Sequence, residues 1–191
     1  MQVFKVVLEL PEWVGKVLEN APSVYPTIEA RMQLAIELSR RNVQYETGGP
    51  FGAAIFNVQT NQLVAPGVNL VVSANCSIAH AEVLAIMLAQ QRVGHWMLGS
   101  SGMSPYQLVT SAEPCAMCLG AVQWAGVGSL VCGAREEDAR RIGLDEGLKP
   151  THWVEGLQRR GIGVIQDIGR EEASSILFQY HERGGIIYNG R

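Results

Sequence analysis

The sequence predicts an α/β layer fold in which helices cover both faces of a mixed sheet. Three observations support this prediction. Two apolar runs separated by Gln59-Thr60-Asn61 indicate a β-hairpin. His80–Val93 is apolar on nearly every side, which is typical of a buried helix. The spacing over Tyr106–Cys132 favours a strand, a helix and a second strand in a right-handed βαβ unit. A hairpin and a βαβ unit in one chain imply antiparallel and parallel pairing in the same sheet.

The N-terminal part begins with a helical pattern and continues with extended segments. Apolar residues recur at near-helical spacing over Tyr25–Val43. Gly48-Gly49-Pro50 ends that pattern. The two hairpin strands are expected at Phe51–Val58 and Gln62–Ala65, and a third extended piece is expected at Val68–Val72.

The second half contains the βαβ unit and a final helix. We predict strands at Tyr106–Thr110 and Leu130–Cys132, with a helix over Cys115–Trp124 between them. Ser174–His181 is expected to form the last helix. The chain is therefore interpreted as a single domain over residues 1–191, with an N-terminal helical extension of about residues 1–47 and a C-terminal lid or tail of about residues 170–191.

Composition restricts the class of protein. The chain has 191 residues, of which 47% are hydrophobic and 17% are charged, enough for one well-filled core but not for two ordinary domains. No apolar run reaches the length of roughly 18 residues needed to span a membrane. The N-terminus also lacks the pattern of a secretory signal. We therefore expect a soluble, cytoplasmic protein without a membrane partner.

The charge balance argues against a nucleic-acid partner. Fifteen basic and eighteen acidic residues give a formal charge of −3, whereas nucleic-acid binders concentrate basic residues on one surface. Arg140-Arg141 and Arg159-Arg160 are small clusters that are better explained as solvated charge. A small uncharged molecule is therefore a more plausible ligand class than a polynucleotide.

Three residues have the identity and spacing of metal ligands. In a cytosolic chain, the C-x-x-C pair Cys115 and Cys118 with the distant His80 indicates metal binding rather than a disulfide. One histidine and two cysteines would leave the fourth position of a zinc tetrahedron to water, as in catalytic sites. Glu82 lies two residues after His80, where it could move the proton of that water. Because residues two apart do not share a helix face, we place His80 and Glu82 at the start of their helix.

Two further cysteines remain. Cys132 lies in an apolar run and is expected to be a core residue. Cys76 lies four residues before His80, which invites a ligand interpretation, but a fourth protein ligand would exclude the catalytic water.

The complete pattern is H-x-E followed by P-C-x-x-C, which is the signature of zinc nucleobase deaminases. His80-Ala81-Glu82 and Pro114-Cys115-Ala116-Met117-Cys118 carry it in this chain. On these residues the chain resembles the cytidine deaminase superfamily, and most closely its bacterial guanine deaminases. The resemblance covers about residues 51–134. It implies a three-layer α/β/α sandwich, a zinc cofactor and a homodimer.

The resemblance also implies roles for residues outside the motif. It gives the backbone amide of Ala81 and the side chain of Asn69 to the substrate, although Asn69 could also be a turn residue. Phe51 and Trp124 match aromatic positions that line pockets in the family, with core packing as the alternative for both. The C-terminal segment closes over the active site in similar enzymes, so Tyr188 is a candidate substrate contact, with a frayed tail as the alternative.

A second carboxylate would distinguish a guanine deaminase from its relatives. Guanine deaminases that the chain resembles carry an acidic residue in the loop after the βαβ unit. Glu146 matches this residue best, and Asp145 is the competing candidate. Alternatively, Glu146 is an ordinary exposed loop carboxylate without a catalytic role. The expected activity is zinc-dependent deamination of guanine to xanthine, and a triazine such as ammeline could be a second substrate. The nearest alternative is a cytosine or cytidine deaminase. A tRNA adenosine deaminase and a non-catalytic zinc-binding subunit are less favoured.

Overall fold

The computed structural model describes residues 4–99 and 105–189. Its centre is a five-stranded sheet with the strand order β2-β1-β3-β4-β5. The strands are β1 (Gly52–Asn57), β2 (Gln62–Val68), β3 (Tyr106–Ala112), β4 (Ser129–Ala134) and β5 (Gly163–Ile165). β1 is antiparallel to β2 and to β3, whereas β3, β4 and β5 run parallel. The predicted mixed sheet is confirmed.

Seven helices accompany the sheet within the described ranges. They are α1 (Glu12–Glu19), α2 (Ile28–Gln44), α3 (Ala81–Val93), α4 (Ala116–Ala125), α5 (Glu136–Arg141), α6 (Trp153–Gln158) and α7 (Arg170–Glu182). None of these helices is both long and apolar enough to cross a membrane.

The core is divided by the sheet into two layers. Successive residues of a strand point to opposite faces, so Ala54 and Phe56 join one apolar cluster while Ala53 and Ile55 join the other. Helices α1, α2, α5 and α7 contribute to the first cluster, and α3, α4 and α6 contribute to the second. The expected three-layer α/β/α sandwich is therefore confirmed, and α2 is part of its core.

Two glycines allow helices to approach the sheet closely. A Cβ on Gly52 would lie 2.3 Å from the carbonyl oxygen of Ala35 in α2. A Cβ on Gly67 would lie 2.1 Å from the carbonyl oxygen of Ala81 in α3. Because both contacts are to backbone, no side chain can be accommodated without moving the helix. Gly67 in particular brings the first residue of α3 against β2.

The structure differs from the predicted elements in two places. The extended piece expected at Val68–Val72 is wrong, because β2 ends at Val68 and residues 71–75 form a turn closed by the bond from Cys76 N to Val71 O (3.0 Å). Asn75 lies in this turn with φ 48°. The short elements α5, α6 and β5 were not predicted, because Gly-rich and charged sequence after Gly133 obscures their periodicity.

Candidate active site

The predicted metal ligands come together where two helices begin. His80 is the N-cap residue of α3, with φ −76° and ψ 153°, and Glu82 lies in the first turn. The expected position at the start of the helix is confirmed for both residues, but only His80 precedes the regular helix, because Glu82 is already its second residue. Cys115 is the N-cap of α4, and Pro114 precedes it. Cys118 follows in the first turn of α4 and is buried.

The spacing of the three donor atoms fits zinc. His80 Nδ1 lies 3.6 Å from Cys115 Sγ and 3.5 Å from Cys118 Sγ, and the three residues can offer donor atoms that all lie within 4.8 Å of one another. Zinc bonds of about 2.3 Å to sulfur and about 2.05 Å to nitrogen separate these two atoms by about 3.6 Å on a tetrahedron. The observed distances match that value, and the soft donor set is one that zinc prefers.

The surroundings favour the thiolate that a metal requires. Hydrogen bonds to the Cys115 sulfur, first from the Cys118 thiol and second from the His80 ring, lower the pKa of Cys115 to about 4. Burial alone would raise this pKa, but its effect is smaller. The N-terminus of α4 adds a positive partial charge at the same place. Cys132 is fully buried in β4, which confirms its expected core position. Cys76 is half-buried, packs against the other apolar cluster and is not a member of the three-residue donor group.

A cavity of about 440 Å³ opens beside this cluster. This volume lies within the range of small-molecule sites, about 300–1,000 Å³. His80, Cys115 and two carboxylates, Glu82 and Glu146, line it. Both glutamates are only 6% exposed. The cavity thus presents two acid groups and a metal-ligand cluster to one small molecule.

Burial changes the acidity of both glutamates. It raises the pKa of Glu82, and the nearby Cys115 thiolate raises it further. Burial followed by the same thiolate charge raises the pKa of Glu146 to about 8. Carboxyl groups shifted towards neutral pH are typical of proton-transferring sites.

The structure also separates Glu146 from its competitor. The Glu146 side chain is buried against the cavity, and its backbone carbonyl accepts a hydrogen bond from Ala116 N (2.9 Å) at the start of α4. Asp145 lies at the cavity mouth with its side chain 50% exposed. Its Oδ1 accepts from Gly147 N (2.9 Å), which is an ordinary turn contact.

Asn69 is fully buried, and the oxygen of its side-chain amide accepts hydrogen bonds from backbone N–H groups. Its Oδ1 accepts from Gly49 N (3.4 Å) and Val71 N (3.2 Å), so Nδ2 is left to donate to the hydroxyl of Tyr188 (2.7 Å). Tyr188 lines the cavity, and its ring centre lies 6.2 Å from that of His80. Asn69 therefore lies behind Tyr188. The C-terminal segment reaches the site within the same chain, and burial raises the pKa of Tyr188.

The other three predicted substrate contacts, Ala81, Phe51 and Trp124, differ in their position relative to the cavity. Ala81 is buried and is the first residue of α3, so its amide has no acceptor within the helix. Phe51 lines the cavity and also contacts both apolar clusters. Trp124 is 86% exposed and lies outside the cavity lining, so neither the pocket role nor core packing describes it within this chain. It stands eight residues after Ala116, about 12 Å along α4 from the end that faces the cavity.

Several lining residues were not predicted from the sequence. Met117, Ile78, Leu144 and Asn189 border the cavity, and Glu113 forms part of its wall. Glu113 could have been noticed, because a charged residue directly before Pro114-Cys115 follows an apolar strand. The others have no local signal and reach the cavity only through the path of their loops.

Comparison with known proteins agrees with this geometry. The family described as "Cytidine and deoxycytidylate deaminase zinc-binding region" matches residues 26–134. That span contains the histidine, the glutamate and both cysteines of the cluster. The chain belongs to this family. The resemblance to the cytidine deaminase superfamily is thereby confirmed, and zinc is the cofactor that the family and the donor set have in common.

Among deaminases of this family, the similarity extends well beyond the motif. A solved structure of guanine deaminase from Nitrosomonas europaea is 44% identical, with a TM-score of 0.87 over 93% of this chain and 97% of that one. Guanine deaminase of Bacillus subtilis strain 168 is 38% identical over 63% of this chain and 72% of its own. Two further solved structures, 43% and 45% identical, hold 8-azaguanine and 2,6-diaminopurine, and the first is a variant with asparagine replaced by glutamine. Their TM-scores are 0.88 and 0.87, and they cover 96% of this chain and 99% and 96% of their own.

Proposed function

We propose that this protein is a zinc-dependent guanine deaminase, which hydrolyses guanine to xanthine and ammonia. The observation that carries the proposal is the second buried carboxylate, Glu146, which shares the cavity with Glu82 and the His80, Cys115 and Cys118 cluster. Attack at C2 of guanine requires protons both at a ring nitrogen and at the departing amine. Two acid groups of raised pKa provide for both.

The chemistry of the relatives' ligands supports the same substrate. Both 8-azaguanine and 2,6-diaminopurine carry an amino group at the carbon that corresponds to C2 of guanine. Structures of relatives were also obtained as variants in which an asparagine or a glutamate was replaced. These are the residue types that we assign to base recognition and to proton transfer, at Asn69 and Glu146.

The mechanism assigns distinct tasks to the two carboxylates. Zinc, when bound by His80, Cys115 and Cys118, lowers the pKa of water to about 7 and so supplies a nucleophile at neutral pH. Glu82 accepts a proton from the water that attacks C2 and delivers it to the adjacent ring nitrogen. Glu146 and Glu82 then carry the protons that let the amine leave as ammonia while C2 forms its carbonyl bond. One water is consumed and one ammonia is released.

Base recognition uses groups that can read a purine edge. The Ala81 amide at the start of α3 donates to an acceptor on the base. The Asn69 amide donates through Nδ2 once the Tyr188 hydroxyl moves away. Phe51 and the Tyr188 ring border the base and exclude water. Ammeline also carries an amine on a nitrogen-containing ring, so it is the second substrate that we propose.

The wider organisation follows from the same assignment. The chain forms a single deaminase domain. Helix α2 from the expected N-terminal extension of about residues 1–47 and helix α7 from the expected lid of about residues 170–191 pack in its core. The segment after α7 closes the site through Tyr188. Four free cysteines suit the reducing cytoplasm, where the enzyme would serve purine catabolism. Trp96, Met97 and Trp124 are exposed apolar residues near the ends of α3 and α4, which supports a homodimer through this side.

Ammonia release by the zinc-loaded protein tests the substrate assignment. The panel contains guanine, ammeline, cytosine, cytidine and adenine, and we expect rapid turnover of guanine. Glu82→Gln is the control, expected to retain zinc while its rate falls about 10²- to 10⁴-fold. Turnover confined to cytosine or cytidine would keep the deaminase chemistry but overturn the guanine proposal. Normal turnover by the Glu82 variant would remove that residue from the mechanism.

A further inference from the structure

A buried lysine follows Glu146 by three residues, and the mechanism above does not use it. The side chain of Lys149 is 3% exposed although it belongs to a loop. Its Nζ lies 3.1 Å from Glu136 Oε2, 3.5 Å from Glu113 Oε2 and 4.4 Å from the ring centre of Trp153. Removing an ammonium group from water is costly unless carboxylates replace its hydration. The ion pairs with Glu113 and Glu136 therefore fix the Lys149 end of the loop.

The Glu113 carboxylate that pairs with Lys149 lies at the ends of strands β3 and β4. Glu113 follows β3 directly, and its backbone N donates to Ala134 O (2.8 Å) at the end of β4. Its carboxylate also accepts from Glu136 N (3.1 Å) at the start of α5 and from Gln166 Nε2 (2.5 Å). Two residues later the chain reaches Cys115. The same strand end thus anchors Lys149 and leads into the metal-ligand turn.

The loop segment between Glu146 and Lys149 has few other restraints. The hydrogen bond from Ala116 N to Glu146 O is one of them. Gly147 adopts φ 73°, and Leu148 is fully exposed, so apolar packing does not hold this stretch. On the N-terminal side, the bond from Ala116 N and the bond from Asp145 N to Asn189 Oδ1 (2.8 Å) hold the loop, and within it Gly147 N donates to Asp145 Oδ1. On the C-terminal side, the Lys149 ion pairs fix the loop to Glu113 and Glu136.

We propose that Lys149 is a positioning residue, which holds the Glu146 carboxylate in the cavity by tying its loop to Glu113 and Glu136. The inference rests on the proposed role of Glu146 in turnover. Misplacement of a reacting group by about 1 Å can cost about 100-fold in rate. Loss of the lysine should therefore act on catalysis through Glu146, without removing a ligand of the metal.

Lys149→Met tests this, because methionine has a similar length and no charge. We expect zinc content to stay at the wild-type level while kcat for guanine falls about 10- to 100-fold. Arg170→Met is the matched control. Among the described residues, the ion pairs of Arg170 are with Glu137, Asp138 and Asp167, which lie outside the Glu146 loop, so its loss should leave kcat within about twofold.

A double variant separates positioning from general destabilisation. Lys149→Met combined with Glu146→Gln should be no slower than Glu146→Gln alone, because the lysine acts through the glutamate. A further loss by the full Lys149→Met factor would show an independent structural effect and overturn the proposal. Amide hydrogen exchange gives a readout without activity. Residues 143–150 should exchange faster in Lys149→Met while β3 and β4 keep their protection.

The same variants distinguish a failure of the Lys149 positioning role from a failure of the proposed role of Glu146. Unchanged guanine kinetics in Glu146→Gln would refute the proposed role of Glu146. A slow Glu146→Gln together with a fully active Lys149→Met would refute only the positioning role. If Lys149→Met does not fold, Glu136→Ala removes the nearer carboxylate from the partly exposed side of the network, and the same non-additivity with Glu146→Gln is expected. Additive losses there would also contradict the proposal.

Discussion

Replacing Glu146 by glutamine should change how the stability of this protein depends on pH. Burial, followed by the charge of Cys115, raises the pKa of Glu146 from 4.5 to about 8 in the folded protein. In the unfolded chain the carboxyl group ionises near its ordinary value. Between these two values the unfolded state releases a proton that the folded state keeps, so stability falls as pH rises. The group's contribution is fully present below pH 4.5 and is lost by about pH 8.

The size of the effect follows from the two pKa values. A difference of one in pKa corresponds to about 1.4 kcal/mol, so the rise from 4.5 to about 8 corresponds to about 5 kcal/mol. Glutamine does not titrate, and the other groups are common to both proteins. The stability of Glu146→Gln relative to wild type should therefore increase by about 1.4 kcal/mol per pH unit across this interval.

Urea unfolding of both proteins between pH 5 and pH 8, followed by tryptophan fluorescence with a chelator present, measures this difference. The zinc-loaded pair should show a smaller slope, because the metal charge offsets the thiolates that help to raise the pKa. Asp145→Asn, which removes a half-exposed carboxylate from the same loop, is the matched control. A stability difference that does not change with pH in the chelated pair would refute the placement of Glu146 as a buried carboxyl group in the cavity.

Three other substitutions test separate parts of the site. Cys115→Ala should abolish stoichiometric zinc binding, because only two ligands remain, and metal analysis of the purified variant with one zinc per chain would disprove the ligand assignment. Gly67→Ala places a Cβ 2.1 Å from the Ala81 carbonyl, so we expect about 1–3 kcal/mol of destabilisation in urea and weaker zinc binding as the start of α3 shifts; wild-type stability would contradict that close contact. Tyr188→Phe frees the Asn69 Nδ2 donor from a bond worth about 0.5–1.5 kcal/mol, so steady-state kinetics should give a KM for guanine about 2- to 12-fold lower, whereas a raised KM would mean that the hydroxyl itself binds the base.

The parts of the fold that were predictable depend on local sequence. The βαβ unit is predictable because an apolar strand, a helix entered through Pro114 and a second apolar strand follow one another at short spacing. The hairpin around Asn61 is predictable for the same reason. The segment after Val68 was misassigned because its apolar residues resemble a strand, whereas hydrogen bonds within the turn and the bond from Leu70 N to Ala79 O (2.8 Å) define its path. α5, α6 and β5 are too short for periodicity to be detected.

The sequence by itself determined which three residues could bind the metal, and it is the basis for proposing Glu82 as the first proton carrier. His80, Glu82, Cys115 and Cys118 belong to two short motifs, and each motif sits at a helix start whose geometry is local. Spacing along the chain is therefore sufficient to recognise them.

Only the tertiary structure decided which loop residues complete the cavity. It buries the Glu146 side chain in the cavity while leaving that of Asp145 half exposed, brings Tyr188 onto Asn69 across the length of the chain, and leaves Trp124 exposed. None of these outcomes follows from a local pattern, because each depends on where a loop is anchored. For Glu146 the anchor is a buried ion pair between Lys149 and carboxylates from two other elements, and such a contact exists only after the sheet has formed.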